Sequence, residues 1–207
     1  MLEESNVKDI KEAKLAVQKA WSAIKAEGLS VLGSELHYQA MIYHCLRVEG
    51  GIPSKQLGMN VKMWIDNPVS SLFQALDKRK HKDFQGGFEP IPDIVIFNPS
   101  INGDWRRRNN EKTLLNMLIA IEVKASEREK NRLQPSEIIL DIQKLAAHRE
   151  EVVARGSDVF PLMLVIDSAP IKEERMTTDA LEKSHALALK LGVGLLYVSP
   201  EHEIFSI

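Results

Sequence analysis

Apolar positions recur at helical spacing through residues 5–27. Ile10, Ala13, Val17, Trp21 and Ile24 fall on one face, and Gly28 is the expected stop. A second helix is expected from Ser34, a good N-cap residue, to about Val48, where Gly50-Gly51 ends it. The next stretch is less regular. "NVKMWI" (60–65) alternates enough to predict a strand, with a stretch near 83–88 as the other candidate for the first strand. "SSLFQALDKRK" (70–80) predicts a helix with a basic tail, and "QGGFEPIP" (85–92) is turn-rich. Then "DIVIF" (93–97) reads as a short β-branched strand entered from Pro92, and "NPSINGDWRRRNNEK" (98–112) as a polar loop. "LLNMLIAIEVKA" (114–125) reads as a long apolar strand that ends on Glu122 and Lys124. After a charged linker come a helix over 136–154 capped by Ser136, a strand over 160–167, a helix over 177–191 and a strand over 193–199. Alternating strands and helices in this half predict an α/β sheet with covered faces.

Composition narrows the class without naming a function. The 207 residues suffice for one well-buried domain. With 44% hydrophobic and 27% charged residues, the chain is ordinary for a globular protein. It has no apolar run of transmembrane length. Its first residues, "MLEESNVKDIKEAK", have neither the basic start nor the apolar core of a signal peptide. Cys45 is the single cysteine, so no internal disulfide forms, and a reducing cytoplasmic setting is expected. A net charge of −2 argues against a general polyanion coat, although two local clusters are basic, "KRKHK" (78–82) and "WRRR" (105–108).

Candidate chemistry gathers around the two strands. In a strand, residues i and i+2 share a face, so Glu122 and Lys124 project together while Val123 turns into the core. If the strand opened by Asp93 pairs with this one, Asp93 sits beside Glu122. Two close carboxylates repel unless a cation or proton lies between them, and oxygen ligands suit Mg²⁺ or Mn²⁺. A neighbouring lysine can hold or polarise a water. Together these are the parts for metal-assisted phosphodiester hydrolysis. Taken singly, each has a plainer reading: a strand-end ion pair for Glu122 and Lys124, a strand start for Asp93, and a first-turn acid for Glu35.

Pro92-Asp93 at the head of one apolar strand, Glu122-Val123-Lys124 at the end of the next and Glu35 on an upstream helix resemble the PD-(D/E)XK nuclease superfamily, over about residues 31–199. The resemblance implies a restriction-endonuclease-like core, a central mixed β-sheet flanked by helices, over 31–207, with residues 1–30 as an N-terminal helical extension. It implies that Asp93 and Glu122 are the carboxylate ligands of Mg²⁺ or Mn²⁺, with the Val123 backbone carbonyl completing the shell. Lys124 would orient or activate the attacking water, and Glu35 would bind a second metal ion or a metal-bound water. On the helix that follows, Gln143 and Lys144 are auxiliary candidates, only one of which can face inward because adjacent helix residues diverge by about 100°.

The implied activity is a metal-dependent nuclease acting on DNA, of restriction, repair or recombination type. A duplex cut on both strands would favour a homodimer. The same residues also suit a nuclease-like module that binds nucleic acid or protein, or a subunit active only within a larger assembly. Lys78, Arg79, Lys80, Arg106, Arg107 and Arg108 are candidate phosphate contacts, and Trp105 a stacking surface for an unpaired base. The "WRRR" loop leaves the strand that Asp93 opens, so its tip is expected at the far end of that hairpin. His37, His44 and Cys45 share one helix without a second zinc-type cluster. Dinucleotide, P-loop, α/β-hydrolase and zincin motifs do not occur.

Overall fold

The computed structural model describes residues 6–126 and 132–207; residues 1–5 and 127–131 and the side chain of Arg108 lie outside the description. Six strands form one mixed sheet: β1 (Leu57–Met59), β4 (Ile94–Phe97), β5 (Met117–Ala125), β6 (Phe160–Ile166), β7 (Gly194–Val198) and β8 (Glu203–Ser206), in the order β1-β4-β5-β6-β7-β8. β5, β6 and β7 run parallel, and the flanking pairs are antiparallel. A separate two-stranded ribbon joins β2 (Ile65–Asp66) to β3 (Gly87–Phe88).

Two cores follow from strand alternation. Ile119, Ile121, Val123 and Ala125 of β5 face α1 (Ile10–Ser30) and α2 (Glu35–Val48). Ala120 belongs to the opposite core with α5 (Pro135–Ala154), α6 (Thr178–Leu191) and α3 (Ser71–Lys78), and alternation carries Glu122 and Lys124 to that same side. Both crossovers between parallel strands run through α5 and α6 on one face, as parallel pairing requires connections of helix length. The first core takes in Val17, Trp21 and Ile24, so α1 is packed onto the sheet rather than hung from it. Among the described residues no helix is long and apolar enough to cross a membrane.

Several boundaries differ from the sequence expectation, each for a local reason. α1 starts at Ile10, where Asp9 caps it by accepting from the Glu12 N–H at 2.8 Å, and it runs through Gly28 to Ser30. Gly28 is buried against Ile166, where an added Cβ would sit 3.2 Å from that side chain, so the glycine serves close helix–sheet packing instead of ending the helix. Residues 60–64 are not a strand. Asn60 turns with φ of 48°, and the pairing strand is the short β1 just before it. Leu114 and Leu115 close a short helix, α4 (Asn110–Leu115), and β5 begins only after Asn116. Pro135 occupies the first helical position of α5, which moves Ser136 inside the helix and leaves Gln134 as the flanking residue. The edge strand β8 has an alternating half-exposed pattern too short to stand out.

Candidate active site

The β4–β5 register pairs Ile94 with Ile121, which sets Asp93 across from Glu122 at the end of the hairpin. Oδ2 of Asp93 accepts the Val123 N–H at 2.7 Å, and the Glu122 carboxyl stands beside it. Asp93 is only 8% exposed. Burial raises its pKa to about 6, against the Val123 N–H, which lowers it; the Glu35 charge adds to the rise. Glu122 is driven well above its ordinary value, first by burial and then by the charges of Asp93 and Asp141. One proton is therefore readily shared between the two carboxyls near neutral pH.

Lys124, on the same face of β5 as Glu122, turns to two other acids. Its Nζ lies 3.0 Å from Oε2 of Glu35 at the start of α2 and 3.4 Å from Oδ2 of Asp141 on α5. Burial works against the ammonium, but Asp141, Glu35 and Asp93 outweigh it and hold its pKa above the ordinary value. Asp141 is buried and shared: its Oδ1 accepts from Lys144 Nζ at 2.9 Å. The four side chains form a chain of alternating charge, Glu35–Lys124–Asp141–Lys144, across three elements. They border a cleft of about 270 Å³ at the carboxyl end of β5, with Arg132 and Glu137 on its far wall. Asp93 and Glu122 do not line this cleft.

The structure thus brings Asp93, Glu122, Lys124, Glu35 and Lys144 together. Gln143 points to solvent, as the helical offset from Lys144 demands, and takes no part. Asp141 was the residue the motif did not supply. It lies in the apolar stripe of α5 between Ile138 and Leu145, and a charge in such a stripe is the signal that marks it.

The basic clusters lie elsewhere. The loop after β4 opens at Phe97, the far end of the hairpin from Asp93. Trp105 is not a free platform: it stacks on Phe97 with centroids 5.3 Å apart and joins the second core. Arg106 pairs with Asp104 at 2.6 Å and Arg107 with Glu89 at 2.7 Å, so both guanidinium charges are largely met within the fold. Lys78 and Arg79 are exposed at the end of α3, whereas Lys80 turns inward toward Asp77 at 3.1 Å. Arg108 falls outside the described side chains.

Comparisons with family models, curated proteins and solved structures each found no match to this chain. Its chemistry has to be read from the site itself.

Among the described residues no group of three or more His, Cys, Asp or Glu side chains forms a ready metal cage. Cys45 is buried, with its thiol pushed up to about 12 by burial and then by the neighbouring Glu27, which removes it as a soft ligand. A hard divalent ion needs less protein. Mg²⁺ keeps several waters and is commonly held by one or two carboxylates. Asp93 and Glu122 fit that demand: burial destabilises both as anions, the charge of Glu35 adds to it at Asp93 and those of Asp93 and Asp141 at Glu122, and a cation would relieve both.

Proposed function

We propose that this protein is a Mg²⁺- or Mn²⁺-dependent nuclease with a restriction-endonuclease-like, PD-(D/E)XK core, hydrolysing phosphodiester bonds of DNA. The observation that carries the reading is the pairing of buried Asp93 with half-buried Glu122 at a strand end, with Lys124 on the same face and a polar cleft beside it. A buried like-charged pair weakens a fold unless something compensates it, which makes it a marker of function.

Asp93, Glu122 and the Val123 carbonyl would hold the ion, which would supply Lewis acidity toward the scissile phosphate. The chain's own groups do the rest. Lys124 donates to the attacking water and fixes its approach. Glu35 and Asp141 keep that ammonium charged and aimed. Lys144, partly exposed on the cleft, offsets phosphate charge as the strand approaches.

Nicking of supercoiled plasmid in Mn²⁺ tests the reading with wild type, Asp93→Ala, Glu122→Ala and Lys124→Ala, each checked for folding by circular dichroism. Loss of a ligand or of the lysine should slow cutting by at least about 100-fold, equivalent to roughly 3 kcal/mol of barrier. Asp93→Ala and Glu122→Ala proteins that cut at the wild-type rate would sink it. Binding without cutting by the wild type would point instead to a nuclease-like module that recognises nucleic acid.

A further inference from the structure

The two basic clusters that the candidate active site leaves out meet on one flank of the molecule. The ribbon β2–β3 and the turn after α3 border an open concavity of about 460 Å³, lined by Trp64, Lys80, Phe84, Phe88, Asp83 and Glu89. Lys80 reaches it from the "KRKHK" cluster. Arg107 reaches its wall from the "WRRR" loop, through a two-pronged bond to Glu89 at 2.7 and 3.1 Å.

Its aromatic faces are held in place. Phe88 stacks on the buried Phe73 with centroids 4.3 Å apart. Trp64 lies so close over Gly87 that any Cβ there would collide with the indole. Phe84 is different: at 69% it is the most exposed large hydrophobic side chain among the described residues. Its position is nonetheless built, because its N–H donates to the His81 carbonyl at 2.8 Å and its ring meets His81 edge-on at 6.2 Å. Lys78, Arg79 and Lys82 are exposed on the same turn, which Gln85 ties together by donating to the Lys78 and Lys80 carbonyls at 3.2 and 3.0 Å.

Two features decide what such a surface accepts. Lys80 Nζ already lies over the Trp64 and Phe88 rings, 5.1 and 5.3 Å from their centroids, so a cationic guest would be repelled. A planar uncharged ring carrying a phosphate meets the opposite situation: the open face of Phe84 beside Lys80 and the exposed cations of its turn, with Asp83 turned to His81 and Glu89 to Arg107. We propose that this concavity is a stacking site for an unpaired nucleobase, with Lys78, Arg79 and Lys82 taking the adjoining phosphates. It is separate from the cutting chemistry: the Trp64 N–H donates to Oδ1 of Asn110 at the start of α4, and Arg107 on its wall follows the end of β4 far from Asp93.

The test is equilibrium binding without metal, in EDTA, read by fluorescence anisotropy of labelled duplexes that are blunt or carry a single-stranded DNA or RNA overhang. Wild type should bind an overhang duplex about tenfold more tightly than the blunt one. Phe84→Ala should lose about 5- to 100-fold on the overhang and little on the blunt duplex, the range expected for one stacked base. Phe84→Trp should keep the preference, and Lys82→Ala should flatten the salt dependence by about one ion. Equal affinity for blunt and overhang duplexes, or a Phe84→Ala protein that binds as wild type does, would overturn the proposal. The DNA and RNA arms identify which strand is taken. An overhang preference that needs Phe84, in a protein that never cuts, would leave this site standing and remove the nuclease reading. Cutting that needs Asp93, with no effect of Phe84→Ala, would do the reverse.

Discussion

Replacing Asp93 by Asn should change how the stability of the metal-free protein depends on pH. Asp93 titrates at about 6 in the folded chain against an ordinary value of 3.8, chiefly because it is buried. The folded state therefore binds a proton that the unfolded state has released, and stability falls as pH rises through this window. The full loss from this group is about 3 kcal/mol, of which about 2 kcal/mol falls between about pH 4 and pH 7. Glu122, also raised, acts in the same direction. His148 acts oppositely: burial pushes it down to about 4, so it is neutral in the fold and favours stability as pH rises. The wild-type profile alone mixes these contributions, and the informative quantity is the difference between wild type and Asp93→Asn. Urea unfolding in EDTA at several pH values gives it. The asparagine can still accept the Val123 N–H, so the variant keeps that bond while losing the titration. Wild type should lose about 2 kcal/mol relative to Asp93→Asn on going from about pH 4 to pH 7, roughly 4–8 °C in Tm for a chain of this size. A wild-type-minus-variant difference that is flat with pH would refute the buried-pair reading. Added Mn²⁺ at neutral pH should restore the lost stability in wild type and not in the variant.

Other consequences are equally direct. Asp141→Asn removes the carboxylate shared by Lys124 and Lys144, and should lower the rate of cutting by about 10- to 100-fold while shifting the alkaline limb of its pH profile to lower pH. Glu151 is fully buried, accepts the Ser70 N–H at 2.7 Å and pairs with Arg155 at 2.6 Å; Glu151→Ala should cost about 2–4 kcal/mol in urea unfolding. Trp105→Ala should destabilise the fold by about 2–4 kcal/mol through lost packing on Phe97, and should leave the affinity for a blunt duplex within about twofold once the folded fraction is allowed for.

Much of this site can be read along the chain, because its signals are local. Alternation alone puts Glu122 and Lys124 on one face and Val123 in the core, and a charge pair at the end of an apolar strand calls for partners. The helix offset alone says that Gln143 and Lys144 cannot both face inward. Ser70 and Thr177 act as helix caps where such residues are favoured. What local pattern does not carry is the pairing of distant segments. Only the β4–β5 register sets Asp93 against Glu122, and only the docking of α2 and α5 around the end of β5 gives Lys124 its two acids. Asp141 stands on the helix after the Glu-x-Lys strand, and only the fold sets it between two lysines. Trp105 looked exposed in a polar loop until Phe97 covered one of its faces. The exposed aromatic instead proved to be Phe84, in a turn whose sequence carries no strong pattern. The sequence by itself determined which side chains alternate inward and which elements they build. The tertiary structure decided which charges meet, because burial and proximity between segments far apart in the chain set both the pKa of a carboxyl and the direction in which a lysine points.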